Sequence, residues 1–296
     1  MKTLQSNLHN MQYIYLQSKE ALDETGTVLL RGLNLDQLTF EYFTKYFCQD
    51  FFRVTSREKF RLESGDGFTT LTPTDNITIL GHVEVDYVPG IKTPNIGFFF
   101  CETPPEVEGG ETFLVEGVAM FNTLSKSLQE RFKNEQVTYE FLWEPQRWEA
   151  QYGVNTKEEL CKRLDRIENV RYELKNDWLH LFYTTSAIIN FNDGTTAFSN
   201  AILGHLPELD HPSYHDKTVY RKETNRVYWE NGEAFSIEVV NELIDAHDQH
   251  KQHYRWQKGD LLIFDNYRYL HGKEETIEWT ERRLFSRFGY LDIDIE

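Results

Sequence analysis

The chain has few of the features that mark secreted, membrane-spanning or polyanion-binding proteins. Cysteine is scarce: Cys48, Cys101 and Cys161 are odd in number, widely spaced and free of zinc-type pairs, which excludes a disulfide framework and implies buried thiols in a reducing cytoplasm. No run approaches the roughly eighteen apolar residues that a membrane-spanning helix needs. The stretch from Met1 to Asn7 carries no apolar core of a secretion signal, so a cytoplasmic location is expected. Positive charge is also short, with 31 Lys and Arg against 48 Asp and Glu, a formal net charge of -17. Such a surface repels polyanions, so neither nucleic acid nor an anionic membrane is expected as a partner. Internal repeats, low-complexity tracts and flexible linkers are likewise missing. What remains is a chain of 296 residues, 40% hydrophobic and 15% aromatic, enough to bury one substantial core.

The most informative residues are His82 and Glu84, in Gly81-His82-Val83-Glu84-Val85-Asp86, together with His271 much further along, in Asp265-Asn266-Tyr267-Arg268-Tyr269-Leu270-His271. In an extended segment, residues i and i+2 point to the same side, so His82 and Glu84 can grip one ion without bending the backbone. Two imidazoles and one carboxylate can fill one face of an octahedral iron(II) and leave the opposite face open for other ligands. Taken alone, a His-x-Glu tripeptide says little in a chain with 10 histidines and 48 acids; its context has to support it.

That context is the C-terminal stretch. Gly259-Asp260 is a turn signal, Leu261 to Phe264 is an apolar run of buried-strand length, and Asp265-Asn266 closes it, which places His271 near the mouth of a strand. Further on, Leu284, Phe285, Phe288 and Tyr290 favour a strand, on which Arg283 and Arg287 share a face. A guanidinium facing into a sheet calls for a carboxylate, and the end group of a dicarboxylate answers that demand. Surface pairing with Glu281 or Asp292 is the simpler reading of either arginine alone.

These residues, in this order and spacing, resemble the iron(II)/2-oxoglutarate-dependent dioxygenases of the TauD/TfdA type. The similarity is greatest to the clavaminate synthase-like branch, whose metal carboxylate is Glu. The segments concerned are His82-x-Glu84, Pro94 to Cys101, Glu108-Gly109-Gly110-Glu111-Thr112, and Trp256 to Arg287. The resemblance implies iron(II) held by His82, Glu84 and His271, with 2-oxoglutarate and dioxygen as cosubstrates. It gives the distal carboxylate of 2-oxoglutarate to Arg283, and has Thr112 donate its hydroxyl to the same cosubstrate. Arg282 is the alternative to Arg283, set aside because its side chain should face the other way on a strand. Arg287 aligns with a position that in some members holds an anionic group of the prime substrate; Ser199 and Asn200, in a family-like Phe198-Ser199-Asn200 segment, are further substrate candidates. The implied activity oxidises a small-molecule metabolite, by hydroxylation in the default case and by desaturation or cyclisation otherwise, releasing succinate and carbon dioxide. A substrate that is amino acid-like or carboxylated fits Arg287. Glu84 argues against halogenation, since the related halogenases have Gly or Ala there, and the net charge disfavours an alkylated-base demethylase.

The implied fold is mainly β with flanking helices: a double-stranded β-helix, or jelly roll, forming a single domain over 1–296 with a lid insertion over 139–200. Local patterns fill in the rest. Leu16 to Leu22 reads as a helix ending near Gly26, and Thr27 to Leu30 as a strand. Thr39 is expected to cap a helix from Phe40 to about Phe51 with an aromatic core face. Arg57 to Asn76 reads as irregular. Met120 to Phe132 reads as one surface helix, with Phe121, Leu124, Leu128 and Phe132 at helical spacing. Thr156 and Glu158 open a helix to about Ile167, and Ser236 opens another to Gln249, with Val239, Val240, Leu243 and Ile244 as its buried stripe. His247, His250 and His253 could suggest another metal site, but a solvated helix end explains them more simply. The aromatic residues Trp143, Trp148, Tyr152, Trp178 and Tyr183 of the middle third either pack or shape a pocket.

Two other classes compete. A cupin-like hydrolase or isomerase would use another metal at the same triad but would need neither Arg283 nor Thr112. A non-enzymatic jelly-roll binding protein would be expected to have lost a metal ligand, whereas all three candidates are present. The sequence leaves the oligomeric state open.

Overall fold

Alternation between the two faces of one large sheet positions everything that follows. The computed structural model describes residues 2–5, 11–33, 35–53, 61–62, 66–72, 76–106, 109–206, 211–214, 217–219, 225–276 and 281–291. Strand β1 (Lys2–Gln5) precedes α1 (Met11–Thr25) and β2 (Thr27–Arg31). Helix α2 spans Gln37–Thr44, starting and ending earlier than the sequence suggests. The cap is Asp36, not Thr39: its carboxylate accepts from the Thr39 N–H at 2.8 Å. The helix stops short because β3 (Asp50–Phe51) is drawn out to pair with the C-terminal strand. Its aromatic stripe is core as expected, with Phe40 and Phe43 buried.

Much of 57–76 lies outside the described residues; within it, β4 (Arg61–Leu62) and β5 (Thr70–Leu71) are short strands. Then come β6 (Ile79–His82), β7 (Ile96–Thr103) and β8 (Thr112–Glu116). The expected surface helix over 120–132 is two amphipathic ones, α3 (Gly117–Thr123) and α4 (Lys126–Asn134), each with one buried and one exposed face. Leu124 and Ser125 are extended between them, and the Ser125 hydroxyl accepts from the Leu128 N–H to start α4. Phe121, Leu124, Leu128 and Phe132 are all buried.

The middle third supplies β9 (Val137–Trp143), α5 (Pro145–Tyr152), α6 (Lys157–Leu164), β10 (Val170–Lys175), β11 (Trp178–Thr185), β12 (Ile188–Asn190), β13 (Thr196–Phe198) and β14 (Asn225–Trp229). Helix α6 opens with a capping box between Thr156 and Glu159 rather than Glu158. Trp143, Trp148 and Tyr152 are buried and pack, while Trp178 is exposed. The chain ends with α7 (Ile237–Gln249), capped by Ser236, then β15 (Lys251–Tyr254), β16 (Leu261–Asp265), β17 (Tyr269–Lys273) and β18 (Arg283–Tyr290).

The result is mainly β with flanking helices. An eight-stranded sheet runs β1-β2-β16-β7-β18-β5-β4, with β3 beside β18; a four-stranded sheet runs β15-β8-β17-β6; and the middle third builds a separate four-stranded sheet, β10-β11-β9-β14. On β7, Phe98 and Phe100 pack outward with Phe40 and Phe43 of α2, whereas Phe99 and Cys101 face the other way. On β18, Phe285 faces outward and Leu284 and Phe288 inward. The inward faces of the eight-stranded sheet and the β15-β8-β17-β6 sheet meet around His271, whose ring lies 5.5, 5.4 and 5.4 Å from Phe99, Phe264 and Phe288. Burying each such phenylalanine contributes about 1.5–3 kcal/mol. On the other side of the smaller sheet, Phe113 meets His247 of α7 at 5.5 Å.

Candidate metal centre

His82 ends β6 directly opposite His271 of β17. Residues directly opposite on antiparallel strands share a face, and the two imidazole rings lie 4.3 Å apart. Glu84 follows just beyond the strand. Its carboxylate Oε2 is 3.8 Å from His82 Nε2 and 3.7 Å from His271 Nε2. Atoms so spaced can each lie about 2 Å from one ion placed between them. Among the described residues, this is the one grouping of three or more His, Cys, Asp or Glu side chains whose ligand atoms converge, all within 4.8 Å of one another.

The protonation pattern fits a metal. His82 Nδ1 donates to the Leu80 carbonyl at 3.0 Å, which makes Nε2, on the side of Glu84 and His271, the ring nitrogen that carries the lone pair. Burial pushes the His271 imidazole down to about 3, so it is neutral at physiological pH, as a ligand must be.

The segment carrying Glu84 is held from two sides. Asn266, fully buried, accepts from the Glu84 N–H at 3.2 Å and donates to the Pro94 carbonyl at 2.8 Å. Val83 N–H donates to the Asn200 carbonyl at 3.0 Å. Between Glu84 and Asp86, Val85 has φ 68°, a left-handed conformation that a β-branched residue adopts only under constraint. Asp86 stays partly accessible, and its enclosure by protein, with the Glu84 carboxylate nearby, pushes its carboxyl well above the usual range.

Behind this face, the Gly81 N–H donates to His247 Nε2 at 3.2 Å, and His247 Nδ1 donates to Asp248 at 2.9 Å. His247 is fully buried, contrary to its reading as a solvated helix end. The signal was available, since His247 continues the Leu243–Ile244 stripe at helical spacing. Asn266 gave no comparable signal.

Next to the metal face is a second polar region. Thr112 stands opposite Lys273 in the β8–β17 register, and its hydroxyl accepts from Trp256 Nε1 at 3.1 Å. Arg282 is 3% exposed and donates to the Gly110 carbonyl at 2.5 Å and to the Thr72 hydroxyl at 2.9 Å. Burial draws its guanidinium down to about 10.

Arg283 goes elsewhere. It donates from Nε to Glu102 at 2.5 Å and lies 5.3 Å from the Phe285 ring, on the face turned toward α2. Strand alternation does separate the two neighbouring arginines; the face assigned to each from sequence is reversed. Arg283 does share a face with Phe285 and Arg287, as alternation requires, but that face of β18 packs toward α2; a period of two says which residues share a face, not which face is inward. Arg287 is also on the α2 side, 4.1 Å from the Phe51 ring, with Asp66 and Thr69 accepting from Nη1 at 3.0 and 2.8 Å. It is not brought to the metal face. Asn200 spends its amide within the chain, donating to the Ala187 carbonyl at 2.7 Å and accepting from the Ile202 N–H at 2.9 Å. Ser199 is buried, and its hydroxyl has no hydrogen-bond partner among the described residues.

The family model for the taurine catabolism dioxygenase TauD, TfdA family matches residues 8–288. The chain belongs to the TauD/TfdA family. As a member it is an iron(II)- and 2-oxoglutarate-dependent dioxygenase, which sets aside the cupin-like and non-enzymatic readings. Solved structures with the same fold include a taurine dioxygenase from Burkholderia xenovorans, 13% identical with a TM-score of 0.59, covering 98% of this chain and 87% of that one. PvcB from Pseudomonas aeruginosa is 13% identical at a TM-score of 0.58, covering 97% and 85%. AAD-2 in complex with Mn(II) and N-oxalylglycine is 11% identical at 0.53, covering 98% and 94%. No curated protein sequence matches. Among the described residues, no helix is long and apolar enough to cross a membrane.

Proposed function

We propose that His82, Glu84 and His271 hold the iron(II), and that Arg282, in place of Arg283, binds the distal carboxylate of 2-oxoglutarate with help from the Thr112 hydroxyl. The observation that carries this reading is the convergence of the three ligand atoms within 4.8 Å, with the buried Arg282 reaching the segment that leads into Thr112. When bound, iron(II) and 2-oxoglutarate would supply the activation of dioxygen and the oxidation of an unactivated carbon, with release of succinate and carbon dioxide.

The chain's own part is positioning and the exclusion of water. Asn266 and the Asn200 carbonyl fix the Glu84 segment, and the His82 Nδ1–H bond sets that ring's orientation. Phe99, Phe264 and Phe288 wall off His271. The two facing sheets form the layers of a jelly roll within a single domain, 1–296, over which the segment 139–200 acts as a lid. Glu84 supports the clavaminate synthase-like branch.

The prime substrate is a small-molecule metabolite, with hydroxylation the default outcome. Arg287 is buried against Asp66 and Thr69, so it lends no support to an anionic substrate. Asp86 beside Glu84 supports the amino acid-like alternative, through its amine. Ser199 remains a candidate contact. The scarcity of cysteine supports a location in the cytoplasm, and the net charge of -17 supports the reading without a nucleic-acid partner.

The test is anaerobic. Iron(II) plus 2-oxoglutarate should give a visible charge-transfer band with the wild type. Retention of that band at full intensity in H271A would sink the ligand set. Succinate release across a panel of amine-bearing and amine-free metabolites tests the substrate class; stimulation confined to the amine-free ones would remove Asp86 from the argument.

A further inference from the structure

One buried ammonium joins the supports of both histidines of the candidate metal centre. Lys251 opens β15 directly after α7, and its side chain is 8% exposed. Its Nζ lies 3.1 Å from Asp248 Oδ1, and it donates to Glu274 Oε1 at 3.0 Å and to the Tyr214 hydroxyl at 3.2 Å. Three N–H groups thus meet three oxygens, and the ammonium also stands 4.7 Å from the centre of the Phe113 ring, on the outer side of the smaller sheet.

On one side the chain of contacts runs to His82. Asp248 Oδ1 accepts from His247 Nδ1 at 2.9 Å and from the Tyr214 hydroxyl at 2.7 Å. A carboxylate that accepts from Nδ1 selects the tautomer whose Nε2 carries the lone pair. That Nε2 accepts from the Gly81 N–H at 3.2 Å, one residue before His82. On the other side the contacts run to His271. Glu274 stands three residues beyond it, just past the end of β17, and its N–H donates to the Glu111 carbonyl at 2.9 Å. Its carboxylate also accepts from Lys217 at 3.2 Å and from His253 Nε2 at 2.9 Å. Without the ammonium, the Asp248 and Glu274 carboxylates would face each other and repel.

We propose that Lys251 is a positioning residue for the metal centre: from the outer side of the β15-β8-β17-β6 sheet it ties α7 to the end of β17, and so keeps His82 opposite His271. The inference rests on the reading that these two histidines, with Glu84, bind iron(II). Lys251 touches neither the metal nor the cosubstrate; it acts through His247 on one strand and through Glu274 on the other.

The experiment compares K251M, K251R and F40L with the wild type. It reads iron(II) affinity by anaerobic competition with a metal-sensitive dye, and the wavelength of the visible band formed with 2-oxoglutarate. Phe40 belongs to the core on the far side of the large sheet, so F40L reports the effect of lost stability alone. K251M should bind iron(II) about tenfold more weakly, as expected for loss of support behind a metal ligand, and its band should shift because the ligands have moved. K251R keeps the charge and can reach both carboxylates, so it should recover most of the loss. F40L should match the wild type in both readings. Should K251M fail to fold, K251Q takes its place with the same expectation. Wild-type affinity and an unshifted band in the lysine variant, or an equal loss of affinity in F40L, would make Lys251 a residue of general stability and overturn the proposal while the ligand set stands. Wild-type iron(II) affinity in H271A would overturn the ligand set, and this inference with it.

Discussion

The imidazole of His247 accepts a hydrogen bond from the backbone of Gly81, one residue before His82. A helix on the outside of the smaller sheet therefore fixes the strand that presents His82, the proposed metal ligand, on its inside. Replacing His247 with Leu leaves the Gly81 N–H buried and unsatisfied, which costs about 1–3 kcal/mol. Iron(II) affinity should fall by about tenfold, toward the lower end of the effect of outer-shell changes. Chemical denaturation and a competition titration with a metal-sensitive dye measure the two separately.

Gly81 has no room for a methyl group, since a Cβ there would sit 2.7 Å from His247 Nε2. Gly81→Ala should destabilise the protein by about 1–3 kcal/mol through overpacking. A melting temperature equal to that of the wild type would show that α7 can move aside.

Arg282 and Arg283 give opposite predictions. Arg282→Gln should weaken 2-oxoglutarate binding by about a hundredfold, since a bidentate, charge-assisted contact is lost. Arg283→Gln removes only a partly exposed pair with Glu102 and should change cosubstrate affinity less than about threefold. The reverse order, measured in the same titration, would restore Arg283 as the anchor.

Asn266 clamps the Glu84 backbone and the Pro94 carbonyl. Asn266→Ala should lower stability by about 2 kcal/mol and lower iron occupancy as the Glu84 segment loosens. Elemental analysis after dialysis against iron(II) reads the second effect.

Acid should destabilise the metal-free protein in two stages. Burial depresses His247 and His271 below their ordinary value, so below about pH 6.5 the unfolded chain takes up protons that the folded one refuses. Stability then falls by up to about 1.4 kcal/mol per pH unit for each such histidine. Further down, Glu274 matters. Burial works against its charge, but the His253 hydrogen bond and the charge of Lys251 hold it down to about 2. Its contribution is complete above the unfolded carboxylate value and is lost between about pH 4.5 and 2. Thermal melts from pH 7 to 5 should slope downward in the wild type and less steeply in His247→Gln; equal slopes would show that His247 is not one of the groups responsible.

The convergence of His82, Glu84 and His271 was legible as a His-x-Glu with a distant His, although Glu84 stands in a bend just beyond β6 and not on the extended strand that the periodicity suggested. The closing strand Leu261–Asp265 was legible as an apolar run between turn residues. The choice between Arg282 and Arg283 was not, because alternation tells which residues of β18 share a face but not which face turns toward α2, and that is set by packing. His247 and Asn266 escaped notice because their work is done on backbone groups of distant strands. The break at Leu124–Ser125 was hidden by an apolar spacing that two short helices satisfy as well as one long helix.

His82 and His271 are 189 residues apart in the chain (271 minus 82), yet they are neighbours across one pair of strands. An ion shared between them, as proposed, would act as a staple that closes a very long loop, and its binding free energy would add directly to the stability of the folded state. Iron supply would then govern how long the protein survives as well as how fast it turns over: chain made under iron starvation would open more often between β6 and β17, and be degraded first.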